Sequence, residues 1–291
     1  MAGFVVVTDS TSNLSPGPAE ELGVPVIPLN VHWGEDSYLD GVTLEADTFY
    51  RWLQERRELP KTSQPSAGAF ADFFQQVADR GNVKALLGIF ISEDLSGTMA
   101  SALQAKAYLA EQRPDLRIEV VDSRSVSMGL GLQILVADRA AREGATIEET
   151  IERARWCYEH THVLFAVDTL EYLHRGGRIG GAARLLGSAL NLKPVLTLSH
   201  GRVESLEKVR SRGKSLRRII EIAQERLGGR RPTELAVMHA TSPDDLKAFE
   251  EMIVEELRPE RMLTRVLTPV VGTHAGPGTL GIAFYADDAA S

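Results

Sequence analysis

Residues 4–12 read Phe-Val-Val-Val-Thr-Asp-Ser-Thr-Ser. A short β-branched run that stops on hydroxyl and acid residues reads as a buried strand of a parallel sheet, Phe4–Thr8. The pattern recurs. Leu87–Ile91 leads into Ser92-Glu93-Asp94-Leu95-Ser96-Gly97-Thr98, and Glu119–Val121 into Asp122-Ser123. Helical patterns lie between: Pro16–Leu22, Leu44–Arg57 with Phe49, Trp52 and Leu53 on one side, Thr98–Gln112, Gly131–Arg142, and a helix opened by Thr146 that runs to about His160. Ser66 suits the cap of a helix whose buried face is Phe70, Phe73, Phe74 and Val77. Further strands are expected at Val24–Asn30, Val83–Ile91 and Ile118–Asp122. Strands alternating with helices predict an α/β fold with a mainly parallel sheet.

Past residue 160 the pattern changes. Strand Val163–Val167 precedes a Gly-rich turn, Arg175–Gly181, and a helix Ala182–Leu190. Strands Val195–Leu198 and Val203–Leu206 flank a Gly201-Arg202 turn, so this part is a mixed α/β unit. Helix Lys214–Leu227, strand Leu235–His239, helix Asp244–Leu257 and strands Arg265–Val271 and Thr279–Tyr285 complete it. Two domains follow, 1–160 and 161–291, as 291 residues exceed what one core usually spans.

A net charge of -8 and a pI near 5.5 argue against a nucleic-acid partner. The single cysteine, Cys157, excludes an intrachain disulfide and suits a reducing cytoplasm. In a helical pattern beside Trp156 and Tyr158 it reads as a packed hydrophobe. The N-terminus has no positive leader, and no apolar run approaches the ~20 residues that span a bilayer. Stable membrane insertion is therefore not expected.

Ligands of open α/β sheets bind outside the carboxyl ends of the strands, where helix N-termini favour a small anion. Three hydroxyl- and acid-rich turns at one sheet edge mark such a place, although each alone reads as an N-cap. Two segments add to them: Lys61-Thr62-Ser63-Gln64-Pro65-Ser66, a hydroxyl-rich turn, and Val270–Gly278, which puts His274 in a glycine-rich loop after a strand. A histidine there donates to a carboxylate and titrates near neutral pH. Other motifs fail. Gly213-Lys214-Ser215 lacks the earlier glycine of a phosphate loop, since position 208 is Lys208. Gly276–Gly281 fits G-x-G-x-x-G but precedes a strand at the chain's end. His160 and His162 have no Cys or Glu cluster to complete a metal site.

Phe4–Ser12, Thr62–Ser66, Leu95–Thr98, Val121–Ser123, Asp168–Ile179, Leu192-Lys193-Pro194 and Gly272–Gly278 together resemble the DegV family in order and spacing, almost end to end. The resemblance implies a two-domain α/β protein that holds one long-chain fatty acid in a tunnel between its domains. It implies the lipid-binding subunit of a bacterial fatty acid kinase, with no catalytic machinery, metal or nucleotide cofactor of its own. The partner is a separate catalytic subunit that uses ATP to phosphorylate the carboxylate, and the acyl phosphate feeds phospholipid synthesis. Thr62, Ser63 and Ser96 resemble the carboxylate-binding hydroxyls, Gly97 and Thr98 offer backbone N–H groups, His274 resembles the family's histidine, and Arg175 is similar to a residue near the head group.

Arg202, Lys208, Arg210, Arg212, Lys214, Arg217 and Arg218 read as a solvated face, or alternatively as a docking patch for the kinase subunit. Trp52, Phe70, Phe73, Phe74 and Phe90 suit ordinary core or a lipid tunnel. The rival to a lipid carrier is the substrate-binding part of a dihydroxyacetone-kinase-like enzyme, where His274 would anchor a small carbonyl compound. A plain regulatory binding module is the third class.

Overall fold

A computed structural model describes residues 3–15, 17–187, 192–241 and 243–287. In chain order its elements are β1 (Val5–Asp9), α1 (Pro18–Leu22), β2 (Val26–Ile27), β3 (Asn30–Trp33), β4 (Asp36–Leu39), α2 (Ala46–Glu55), β5 (Lys61–Ser63), α3 (Ala67–Gly81), β6 (Ala85–Phe90), α4 (Thr98–Gln112), β7 (Arg117–Asp122), α5 (Met128–Arg142) and α6 (Ile147–His160). There follow β8 (His162–Ala166), α7 (Glu171–Arg175), β9 (Val195–Ser199), β10 (Arg202–Glu207), α8 (Arg212–Leu227), β11 (Glu234–His239), α9 (Pro243–Glu256), β12 (Arg261–Val266), α10 (Pro269–Ala275) and β13 (Leu280–Tyr285).

The first sheet is parallel, in the order β2-β1-β6-β7. Val7, Leu86 and Phe90 pack on α3 and α4, while Val6, Leu87 and Ile89 face α5. The second sheet is mixed, in the order β10-β9-β8-β13-β11-β12, with only β11 and β12 parallel. Its strands alternate by residue, as the pleat requires. Leu164, Val237 and Ile282 bury against α8 and α9, whereas Val163, Ala236, Met238 and Ala283 join the cluster that contains α5. Helix α5 thus lies between the two sheets, which is why it is apolar around most of its circumference. Gly131 permits this approach, because a Cβ there would stand 2.7 Å from Ser12 O.

Caps explain two element starts. Thr146 and Glu149 form a reciprocal capping box at α6, and the Ser66 hydroxyl accepts from Ala69 N–H at α3. Several expectations need correction. Val24–Asn30 is not one strand but β2 and the start of β3, because Pro25 and Pro28 lack the donors a continuous ladder needs. Lys61–Ser63 is a strand in a third, antiparallel sheet ordered β4-β3-β5. The Arg265–Val271 strand stops at Val266: Thr268 caps and Pro269 opens α10, so His274 stands in a helical last turn. The helix expected over Ala182–Leu190 is a 3-10 helix at Gly180–Leu185, and residues 188–190 lie outside the described residues, as does Pro16.

Candidate functional site

The hydroxyl and acid residues at the first sheet's carboxyl edge are committed to each other. Asp9 is fully buried. Its Oδ1 accepts from Thr11 N–H (2.9 Å) and the Thr11 hydroxyl (2.5 Å), and its Oδ2 from Ile91 N–H (2.8 Å). Burial outweighs these bonds and raises its pKa. Thr8 donates to Ile89 O, Ser92 N–H to Ser125 O and Ser123 N–H to Phe90 O. This edge is a knitted wall.

The wall bounds a cavity. Thr11, Ile91, Leu95, Val126 and Ser127 come from the first sheet's edge; Val163, Phe165, Leu198, Val203 and Met238 come from the second sheet. Helix α10 supplies Val270, Val271, His274 and Ala275. The hydroxyls among the lining residues have partners elsewhere. Thr11 donates to Asp9, Ser127 to Asn13 Oδ1 (2.9 Å), and Thr279 to Ala275 O (2.8 Å). The cavity therefore presents an apolar interior. Ser127 keeps a positive φ of 55° here, with its N–H on Thr11 O at 2.7 Å.

A second, polar cleft borders the first. Lys61, Thr62, Tyr172, Arg175, Gly176 and Thr273 line it, and His274 and Arg178 line both. Thr62 Oγ1 lies 2.8 Å from His274 Nε2. His274 Nδ1 is buried without a partner. Burial, helped by the Arg178 charge, pulls the imidazole pKa down to about 4, so the ring is neutral at pH 7. Arg178 donates to Leu95 O (3.0 Å) and Gly176 O (2.6 Å), tying the cavity wall to the turn after α7.

Of the residues singled out from sequence, Thr62 and His274 meet. Arg175 lines the polar cleft and pairs with Glu171 at 2.7 Å. Ser63 falls on the other face of β5, where Asn30 donates to it (3.3 Å) and its hydroxyl meets His32 Nε2 (2.8 Å). Ser96 and Thr98 hydroxyls meet at 2.8 Å at the start of α4, and Gly97 lies against the Gln64 side chain. Arg178, which ends the Arg-Gly-Gly-Arg turn, is a lining residue without a sequence signal of its own. The basic stretch is largely neutralised: Arg212 pairs with Asp245, Arg217 with Glu256, Arg218 with Glu207, and Arg202 with Asp94. Cys157 is buried and its thiol pushed up to about 12, as suits a packed hydrophobe. Among the described residues no cluster of His, Cys, Asp and Glu could hold a metal ion, and no helix is long and apolar enough to cross a membrane.

Comparison with known proteins matches the same chain. The model of the DegV family, described as "Uncharacterised protein, DegV family", matches residues 3–287. A DegV domain-containing protein of Streptomyces coelicolor is 37% identical, covering 95% of this chain and 96% of its own. A DegV-family protein of Thermus thermophilus, described by its fatty acid binding, superposes with a TM-score of 0.90 at 34% identity over 99% of this chain and 100% of its own. A stearic-acid-binding protein of Eubacterium ventriosum gives a TM-score of 0.89 at 27% identity, covering 97% and 98%. With a family match over nearly its whole length, the chain belongs to the DegV family.

Proposed function

We propose that this protein binds one long-chain fatty acid, tail in the apolar cavity and carboxylate in the polar cleft, and presents that carboxylate to a separate ATP-dependent kinase subunit in the cytoplasm for acyl phosphate formation. The observation that carries the reading is that His274 and Arg178 line both spaces, so an amphiphile spanning them meets polar groups only at one end. Each buried CH₂ contributes ~0.8 kcal/mol, so the tail supplies most of the affinity. The head group needs only partners that avoid burying a bare charge. Neutral Thr62 and His274 meet it directly, and Arg178 and Arg175 add positive field; a role for Ser96, Gly97 and Thr98 at the start of α4, which follow the lining residue Leu95, belongs to the same proposal. Ser63 acts from the back of β5. The fatty-acid-binding solved structures of the same family support the reading. A small carbonyl substrate would leave the apolar cavity empty. A division into residues 1–160 and 161–291, with the ligand between them, belongs to the same proposal.

Native mass spectrometry of the purified protein, then organic extraction, tests the binding. The expected result is a one-to-one adduct of a C16–C18 fatty acid, the length that ~0.8 kcal/mol per CH₂ makes tight. An empty protein that also refuses added fatty acid would overturn it. Presentation is tested separately, by trapping acyl phosphate with hydroxylamine after adding the kinase subunit and ATP. No trapped product from a loaded carrier removes the kinase role and leaves the binding.

A further inference from the structure

Helix α10 carries four of the cavity-lining residues, yet it has only seven residues, too few to hold itself. Its support comes from residues 40–62. Asp40, 2% exposed, accepts from Val270 N–H through Oδ1 at 3.0 Å, and its own N–H is tied to Leu29 O at 2.9 Å. The α2 side chains Phe49 and Tyr50 lie so close that a Cβ on Gly272 would stand 2.8 and 2.5 Å from them. Tyr50 also donates to Leu267 O (3.2 Å), just before the helix. At the far end Thr62 meets His274.

We propose that Asp40 is the positioning residue for the head-group site: its carboxylate fixes the first turn of α10 and thereby holds His274, one turn on, against Thr62. The inference rests on the fatty-acid reading of that site. An asparagine would accept the same N–H, so what the carboxylate adds is its charge at the start of the helix. The ionisable groups around it are Asp9 and Tyr50. Tyr50 stays neutral, because burial and the Asp40 charge raise its pKa. Burial, reinforced by Asp9, moves the Asp40 pKa up to about 6 against its hydrogen bonds. Below that pH the charge is lost and the grip on Val270 weakens.

The test is a pH titration of protein loaded with fatty acid ¹³C-labelled at the carboxyl carbon, read by NMR, in wild type and Asp40→Asn. In wild type the bound carboxyl resonance should show, beside the titration of the lipid's own carboxyl, a step with a midpoint near pH 6, and that added step should vanish in Asp40→Asn, which keeps the amide acceptor. Asp40→Ala leaves Val270 N–H unpaired and should release lipid on the order of tenfold faster. An added step of equal midpoint in wild type and Asp40→Asn would not come from Asp40 and would overturn the proposal, as would no added step in either. If wild type takes up no fatty acid, the binding reading fails and the His274 Cε1–H resonance decides instead. A shift of that resonance in Asp40→Asn supports the positioning role, and an unchanged one overturns it.

Discussion

Thr62 Oγ1 lies 2.8 Å from His274 Nε2, joining residues 212 positions apart. The contact closes the polar cleft between a short antiparallel sheet near one end of the chain and a short helix near the other. It occupies Nε2 and leaves Nδ1 buried against Gly176 without a partner. A buried polar atom without a partner costs about 1–3 kcal/mol.

Gly176 is the place to disturb that ring without straining the backbone. Its φ is -73°, open to any residue, yet a Cβ would stand 2.2 Å from His274 Nδ1. Gly176→Ala should push the imidazole off Thr62 and speed release of a fluorescent fatty acid about tenfold, the effect of losing one buried polar contact. Thr62→Val should act in the same direction. Stopped-flow release at the wild-type rate in both variants would mean that the ring does not touch the ligand.

The α/β class was legible because it depends on local periodicity. Helix Thr98–Gln112 begins and ends where its pattern does, and Thr146 opens α6 as expected. Thr62 and His274, which meet in the candidate site, stand out in the sequence, but their setting does not. Lys61–Ser63 looks like a turn because its partner strand, Asn30–Trp33, is about 30 residues away and no local propensity reports the pairing. Alternation along β5 then sends Ser63 to the face opposite Thr62, which a turn assignment hides. The β-branched pair Val270-Val271 suggested a strand, while Thr268-Pro269 before it was the helix-start signal that prevailed. The glycine turn sends Arg175 to Glu171 and Arg178 to Leu95 O, a difference that no local pattern reports.

Two buried groups should give stability opposite slopes against pH. His274 has a folded pKa of about 4 against 6.5, so the stability it contributes is present above pH 6.5 and lost as pH falls through 4. Asp40 has a folded pKa of about 6 against 3.8, so its contribution is present below pH 3.8 and lost as pH rises through 6. Each is on the order of 3 kcal/mol at most. Urea unfolding from pH 4 to 7 should show His274→Gln losing the first dependence and Asp40→Asn the second, each read as a difference from wild type. Parallel curves for the three proteins would show that neither group titrates abnormally.

The length of the bound tail should depend on one row of the second sheet. Phe165, Gly281 and Met238 are register partners across β8, β13 and β11, and all three line the cavity. Gly281 is the low point between them, since a Cβ there would stand 2.5 Å from Phe165 Cβ. Met238 is 4% exposed, and its sulfur meets the Ser127 hydroxyl at 3.1 Å. Met238→Phe puts a rigid ring over Gly281 and takes tail space without opening the fold. At ~0.8 kcal/mol per CH₂, excluding about two methylenes weakens the longest acids roughly tenfold and leaves shorter ones unaffected. Competition among C14, C16 and C18 acids, with mass analysis of what the variant carries, should show the preference move to shorter chains. An unchanged profile would mean that the tail does not run over this row.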